Sequence, residues 1–216
     1  MMRKKIAVLT SGGLDSAILM DLLSKRSIVQ PIYIQNGHFW ESAELFWLKR
    51  FLKKIKNRNV KSPAVLNLST QDLYQNHWSL TGKKVPGAKS NDRNVYLPGK
   101  NLLLISKAAV FCTLNRIPDL ALGPLESNPF PDARPEFFKI MERAIEKSLR
   151  FKVKIHTPFL KHSKTRVLAL GGHLPLYLTF SCLSPKKMAH CGRCNKCAER
   201  KRAFRAANMA DKTRYA

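Results

Sequence analysis

Acidic side chains are scarce in this sequence. Its 216 residues hold 14 Asp and Glu against 39 Lys and Arg, a formal net charge of +25 at pH 7. Such a chain attracts polyanions at moderate salt, and tRNA and DNA are the obvious candidates. The positive charge is concentrated in the acid-free stretch 48–61 and in the tail 193–205. Charge alone does not select a function, because it reports only non-specific attraction.

Long apolar runs are also missing. No stretch of about 18 apolar residues occurs, so no membrane-spanning helix is predicted. The basic start, Met-Met-Arg-Lys-Lys, is followed by too few apolar residues for the core of a signal peptide. We therefore expect a cytoplasmic protein, in which the five cysteines stay reduced and serve as metal ligands or core residues rather than disulfides.

Short apolar runs alternate with amphipathic segments along most of the chain. Strands are predicted at 6–9, 28–35, 64–68, 119–122 and 153–155, and helices after Gly13 and at 41–55, 99–115 and 135–149. This alternation predicts an α/β fold with a doubly wound parallel sheet. The helix at 99–115 carries little charge, so it is predicted to be central and buried.

The sequence Ser-Gly-Gly-Leu-Asp-Ser, residues 11–16, stands between the first predicted strand and the first helix. Because Gly12 and Gly13 have no Cβ atoms, several backbone N–H groups can converge on one anion at the positive end of the helix. The spacing is neither that of the Walker loop nor that of the dinucleotide fingerprint. It resembles the pyrophosphate loop of the ATP pyrophosphatases, which grips the leaving pyrophosphate while AMP is transferred. An ordinary tight glycine turn is the alternative.

Four cysteines near the carboxyl end have the spacing C-x8-C-x2-C-x2-C. They are Cys182, Cys191, Cys194 and Cys197. Four thiolates can wrap a tetrahedral Zn²⁺ with Zn–S distances of roughly 2.3 Å, and a closed shell of this kind indicates a structural zinc. An iron–sulfur cluster and unbound core cysteines are the alternatives. His190 could replace a thiol, and the fifth cysteine, Cys112, is predicted to be a core residue.

The pyrophosphate loop and the four cysteines together resemble the QueC family of queuosine-type biosynthesis. Residues 97–112 are similar to the family's substrate-site helix, 129–138 to its Pro-Asp-x-Arg-x-Glu-Phe segment and 157–171 to its Thr-Pro-x4-Ser-Lys segment. Leu-Thr-Phe-Ser-Cys, ending at Cys182, leads into the cysteines as it does in the family. The expected organisation is an ATP-binding α/β domain at 1–180 and a zinc segment with a basic helix at 181–216.

The resemblance implies an ATP-dependent, AMP-forming ligase that converts 7-carboxy-7-deazaguanine and ammonia into 7-cyano-7-deazaguanine. The carboxylate is adenylated, ammonia gives an amide, and a second activation dehydrates the amide. The implied cofactors are ATP, Mg²⁺ and a structural Zn²⁺. The residues implied to bind ATP and pyrophosphate are Ser11, Gly12, Gly13, Leu14, Asp15 and Ser16. Ser11, Asp15 and Ser16 are also implied to be catalytic, together with Lys164, and Asp15 holds the turn or a hydrated Mg²⁺.

The acceptor is implied to be bound by residues from the interior segments, namely His38, Lys100, Asn101, Asp132 and Arg134. Lys164 and Arg134 are candidates for the substrate carboxylate or the phosphates, and the alternative for each is an ordinary surface cation. The chain departs from the family's usual sequence at 35–38, at 100–101 and at 123–128, which recognise the acceptor. The identity of the acceptor therefore stays open.

Two other classes of function remain as alternatives. A tRNA-modifying thiolase or a lysidine-type ligase shares the loop, but it normally has an RNA-binding domain or a catalytic cysteine pair, and the sequence has no sign of either. A zinc-bearing nucleic-acid-binding protein would explain the charge and the cysteines and leave residues 11–16 without a role. The expected partners are a small carboxylate and ammonia, with no membrane; non-specific nucleic-acid binding and a homodimer are left open.

Overall fold

The computed structural model describes residues 3–216. Their strands are β1 (Lys5–Leu9), β2 (Ile28–Gln35), β3 (Ala64–Asn67), β4 (Asp119–Ala121) and β5 (Lys154–His156). Their α-helices are α1 (Leu14–Ser24), α2 (Glu41–Ile55), α3 (Gln71–Tyr74), α4 (Trp78–Thr81), α5 (Lys100–Leu114), α6 (Pro135–Leu149), α7 (Lys164–Leu170) and α8 (Asn195–Ala206). None of the helices formed by these residues is both long and apolar enough to cross a membrane.

The strands form one parallel sheet in the order β3-β2-β1-β4-β5. Successive side chains of β1 point to opposite faces, so Ile6 and Val8 join one buried cluster with α1, whereas Ala7 joins another with α5 and α6. Helices therefore cover both faces, and the predicted doubly wound α/β fold is confirmed. The strand order reverses between β1 and β4, where sheets of this kind leave a crevice for ligands at the carboxyl ends of the strands.

Most element boundaries agree with the sequence, but the predicted burial of α5 is wrong. The predicted ranges of β2, α2 and α6 coincide with the observed ones. Only one face of α5 packs inward, and Leu102, Val110 and Leu114 remain exposed on the other. The helix forms an outer layer of the molecule, where its low charge does not require burial on every side. Cys112 lies on the inner face and is fully buried, as predicted.

The carboxyl-terminal segment packs directly against the α/β core. Ala203 and Phe204 of α8 belong to the same buried cluster as α1. Arg200, only 1% exposed, donates hydrogen bonds to the carbonyl of Leu176 at 2.7 Å and to the hydroxyls of Thr179 and Thr213 at 2.9 and 2.8 Å. A domain boundary near residue 180 stays a prediction, and this contact ties the two sides of it together.

Candidate active site

The turn between β1 and α1 is held open by hydrogen bonds of its own side chains. The Gly12 amide donates to Thr10 Oγ1 at 3.2 Å, and the hydroxyls of Thr10 and Ser16 are 3.1 Å apart. Gly12 has a φ of +71°, and a Cβ at this position would lie 3.1 Å from the Glu44 carbonyl oxygen. Both the backbone conformation and the space therefore require glycine at position 12.

Asp15 begins a chain of ion pairs that joins the turn to the carboxyl-terminal helix. Lys164 Nζ lies 2.7 Å from Asp15 Oδ2 and 3.6 Å from Glu199 Oε1, and Glu199 also pairs with Lys196. Burial opposes the charge on Lys164, but Asp15 and Glu199 outweigh it and raise the pKa of Lys164. The other oxygen of Asp15, Oδ1, is buried with no hydrogen-bond partner within residues 3–216.

A cavity of about 340 Å³ opens beside this turn at the carboxyl ends of β1, β2 and β4. The turn contributes one wall through Thr10, Ser11, Gly13, Asp15 and Ser16. The segment after β4 contributes Gly123, Pro124 and Asn128, and α5 contributes Lys100, Asn101 and Leu104. The cavity thus lies at the point where the strand order reverses, the position expected of a ligand site.

Aromatic side chains form the far wall of the cavity. His38 stacks on Trp40 with ring centroids 4.7 Å apart, and Trp40 stacks on Trp78 at 5.8 Å. His38 is 8% exposed, and neither of its ring nitrogens has a hydrogen-bond partner among the described residues. Burial and the nearby Lys100 and His77 lower the pKa of His38 to about 3. At neutral pH it is therefore an uncharged ring with one donor and one acceptor.

Two glutamates of α2 face the cavity and have different partners. Glu41 Oε1 accepts hydrogen bonds from the amides of Asn36 and Gly37, so it fixes the turn after β2. Glu44 Oε2 accepts a hydrogen bond from the Tyr33 hydroxyl at 2.9 Å. Burial raises the pKa of Glu44 to about 7, although Lys100 and the Tyr33 hydroxyl favour its charged form. Lys100 is also buried, and this burial lowers its own pKa.

Asn101 and Asp132 bind each other at the first turn of α5. The backbone N–H of Asn101 donates to Asp132 Oδ2 at 2.9 Å, and the side-chain NH2 of Asn101 donates to the backbone carbonyl of Asp132 at 2.9 Å. Both residues line the cavity. Arg134 is exposed at the start of α6 and does not line it. Gly12, Leu14 and Lys164 also do not line the cavity.

The four carboxyl-terminal cysteines converge on one buried point. Their Sγ atoms all lie within 4.8 Å of one another, with Cys191 and Cys197 4.0 Å apart and Cys182 and Cys194 3.9 Å apart. A tetrahedral zinc with Zn–S bonds of about 2.3 Å has sulfur–sulfur edges of about 3.8 Å, so the group fits a four-coordinate metal. Backbone amides, including those of Leu183 and Cys191, point at the sulfurs.

His190 has a separate role beside the cysteine cluster. Its Nε2 accepts a hydrogen bond from the Ser181 amide at 3.2 Å, and its ring packs against Phe180 and Tyr215. The Phe180 amide in turn donates to the Gly12 carbonyl at 2.8 Å. The cysteine segment is therefore attached directly to the glycine turn.

A glycine turn beside a cavity at the switch point of a doubly wound sheet, and a buried four-cysteine cluster that fits a four-coordinate metal, define the class of this α/β protein. The family model described as queuosine biosynthesis protein QueC matches residues 5–208. The chain belongs to the QueC family.

Curated relatives match this chain over nearly its whole length. The chain is 30% identical to the 7-cyano-7-deazaguanine synthase of Leptospira interrogans serovar copenhageni, covering 96% of this chain and 89% of that protein. It is 29% identical to the protein of the same name from Syntrophobacter fumaroxidans, covering 99% and 97%. A solved structure described as a predicted subunit of tRNA methyltransferase from Methanocaldococcus jannaschii matches with a TM-score of 0.51 and 16% identity, covering 78% and 74%. That likeness shows the fold alone.

Several residues of the cavity were missed by sequence reasoning. Tyr33, Glu44, Trp40 and Trp78 line it, and none was singled out from the sequence. Tyr33 lies in the apolar strand β2 and Glu44 in the amphipathic helix α2. The periodicity of such elements predicts which positions are buried and not which residues bind or react. A polar residue at an inward position of α2 was the available signal for Glu44.

Proposed function

We propose that this chain uses ATP to adenylate a carboxylate on a planar heterocycle and converts it with ammonia, through the amide, into a nitrile. The acceptor is 7-carboxy-7-deazaguanine and the product 7-cyano-7-deazaguanine, as the names of its relatives suggest. The observation that carries the proposal is that the glycine turn, the lysine at position 100 and the stacked aromatic wall share one cavity.

The phosphates of ATP belong at the glycine turn. Ser11, Gly13, Asp15 and Ser16 line the cavity at the amino-terminal end of α1, where the helix dipole favours an anion. Ser11 and Ser16 add hydroxyl donors, and the Asp15–Lys164 pair fixes the first turn of the helix. The unpartnered buried oxygen of Asp15 suits a Mg²⁺ ligand, and a magnesium ion there would offset charge on the phosphates.

The acceptor belongs at the opposite wall. A flat heterocycle can stack against the His38–Trp40–Trp78 series, and the neutral His38 ring can both donate and accept a hydrogen bond at its edge. Lys100 supplies a positive charge for the carboxylate. Asn101 and Asp132 hold the start of α5 and with it Lys100. Lys164 acts through Asp15. Arg134, which does not line the cavity, stays a prediction as a ligand of the substrate carboxylate or the phosphates.

Product analysis tests the adenylating reaction. Protein incubated with Mg-ATP, ammonia and 7-carboxy-7-deazaguanine should release AMP and pyrophosphate, because the loop is suited to a leaving pyrophosphate rather than to a transferred γ-phosphoryl group. Omitting the carboxylate is the control and should abolish the release. ADP and inorganic phosphate as products would contradict the proposal.

We assign zinc to the four cysteines, with a structural role. Four thiolates leave no open coordination position for a substrate, so the metal would stabilise the fold of the segment. Metal analysis should give one zinc per chain, and Cys194→Ser should lose the zinc and much of the folded protein. Cys112→Ala, at a cysteine far from the cluster in sequence, should keep it. Iron with acid-labile sulfide would contradict the assignment.

The remaining partner predictions follow from this function. The small carboxylate and ammonia are the substrates, and the basic surface gives non-specific nucleic-acid binding. A cytoplasmic location, where the cysteines stay reduced, also remains a prediction.

A further inference from the structure

The contacts of Glu44 with the rest of the fold do not explain why its carboxyl group is buried in the cavity. Glu44 projects from α2 beside the glycine turn, and a Cβ at Gly12 would lie 3.7 Å from Glu44 Cγ. Its Oε2 accepts the hydrogen bond of Tyr33, whereas Oε1 has no hydrogen-bond partner among residues 3–216. The side chain lines the cavity between the turn and Lys100. Glu44 thus offers a free carboxyl oxygen next to the place assigned to the reacting phosphate.

Charged and titratable groups surround Glu44 on several elements. Tyr33 reaches it from β2, Glu41 lies one turn away on α2, and Lys100 faces it from α5. Across the cavity are Asp15, paired with Lys164, and Lys196, paired with Glu199. Burial raises the pKa of Glu44 to about 7, so near neutral pH the carboxyl both takes up and releases a proton. Burial and Glu44 raise the pKa of Tyr33, whose hydroxyl stays a donor.

The proposed reaction releases protons from nitrogen after each adenylation. When ammonia attacks the acyl adenylate, the C–N bond forms, the C–O bond to AMP breaks with its electron pair on the AMP oxygen, and one N–H proton must leave. When the adenylated amide collapses, the C–O bond breaks again, AMP departs, and both remaining N–H protons leave as the nitrile forms. Three protons therefore leave nitrogen in one full conversion. The first adenylation itself needs no group that takes up a proton.

Other residues of the cavity are poorly suited to accept these protons. Asp15 is tied to Lys164, and Glu41 is tied to the amides of Asn36 and Gly37. His38 is neutral, but protonation of its ring is strongly opposed by burial, which lowers its pKa to about 3. Oδ1 of Asp15 is also free, but Asp15 is held in the ion pair with Lys164 and is the residue proposed above to bind Mg²⁺. Among these groups we therefore favour Glu44, which lies against the turn, as the proton acceptor.

We propose that Glu44 is the general base that takes the nitrogen protons during amide and nitrile formation, with Tyr33 as the residue that positions it. This inference rests on the proposed function. The carboxyl hands each proton to solvent through the open side of the cavity before it accepts the next. Glu44 acts only after adenylation. A variant that lacks this carboxylate should therefore keep adenylation and lose the steps in which nitrogen gives up protons.

Glu44→Gln tests the inference because the amide keeps the shape and can still accept from Tyr33. We expect nitrile formation to fall by at least about 100-fold, the usual contribution of a general base. Exchange of labelled pyrophosphate into ATP, measured with the carboxylate and without ammonia, should stay within about threefold of wild type. Glu146→Gln, an exposed glutamate of α6 outside the cavity, is the matched control and should leave both activities unchanged.

The pH profile gives a readout that a structural role would not move. In the wild type, kcat for nitrile formation should rise as pH rises through about 7, because the base must be deprotonated. Tyr33→Phe removes the hydrogen bond to the carboxylate, so this rise should shift to higher pH. In Glu44→Gln the rise should disappear.

The other outcomes distinguish a failure of the role of Glu44 from a failure of the proposed function. Unchanged nitrile formation in Glu44→Gln, or an equal loss of exchange and nitrile formation with the pH dependence retained, would overturn the role of Glu44 and leave the proposed function standing. Exchange with the carboxylate but no nitrile in the wild type would overturn the proposed function, and this inference with it.

Discussion

At the scale of single residues, the Asp15 carboxylate links the glycine turn to the rest of the site. One oxygen pairs with Lys164 at 2.7 Å, and the other is buried and unpartnered within the described part of the chain. A buried carboxylate oxygen without a partner is costly, which suggests that a ligand completes it. Asp15 therefore has both a positioning contact and a free ligand atom.

Asp15→Asn should lower AMP formation by about 100-fold, because the amide weakens the pair with Lys164 and is a poorer metal ligand. Steady-state release of AMP under saturating Mg-ATP measures the effect. Asp21→Asn is the control on the same helix, since Asp21 pairs with His173 and Lys25 outside the cavity. Equal activity of the two variants would contradict the role given to Asp15.

At the scale of elements, the close packing of α1 and α7 determines where Lys164 lies. Gly171 follows α7 directly, and a Cβ on it would overlap Cγ1 of Ile18 and lie 2.7 Å from Cδ1. Ile18 is in the middle of α1, the helix that carries Asp15. The absence of a side chain at position 171 lets the two helices approach closely enough for the Asp15–Lys164 pair.

Gly171→Ala should lower the free energy of unfolding by about 1–3 kcal/mol, because the added methyl overpacks a buried contact. Urea denaturation of the metal-loaded protein measures this change. Gly172→Ala places its Cβ no closer than 3.7 Å to any neighbour, so it should change stability by less than about 0.5 kcal/mol. A Gly171→Ala protein as stable as Gly172→Ala would show that the contact does not limit the packing.

The elements also show what the sequence could predict. The ranges of α2 and α6 follow from their helical periodicity and coincide with the observed ranges. The wrong prediction for α5 came from reading low charge as burial, although a helix in an outer layer needs only one apolar face. Trp78 joins Trp40 and Glu44 only through long-range folding, and no local pattern marks which aromatic or acidic side chain will face the cavity. The glycine turn and the cysteines carry their chemistry in their spacing, so sequence alone located them.

At the scale of the whole molecule, the net charge of +25 and the size of the cavity have different consequences. A basic surface binds nucleic acid through phosphates, and such binding weakens steeply with salt and carries little sequence preference. A cavity of about 340 Å³ accommodates a small planar acceptor and not a folded RNA. Activity on the small acceptor should therefore survive at a salt concentration that abolishes RNA binding.

The most direct measurement is mass spectrometry of reactions that contain 7-carboxy-7-deazaguanine, Mg-ATP and ¹⁵N-ammonia, with and without bulk tRNA, at low and high salt. We expect the free carboxylate to disappear and a nitrile containing ¹⁵N to form at the same rate with and without tRNA, because we propose that the acceptor binds inside the cavity. Product attached only to the RNA, or AMP formation without any labelled nitrile, would contradict the account.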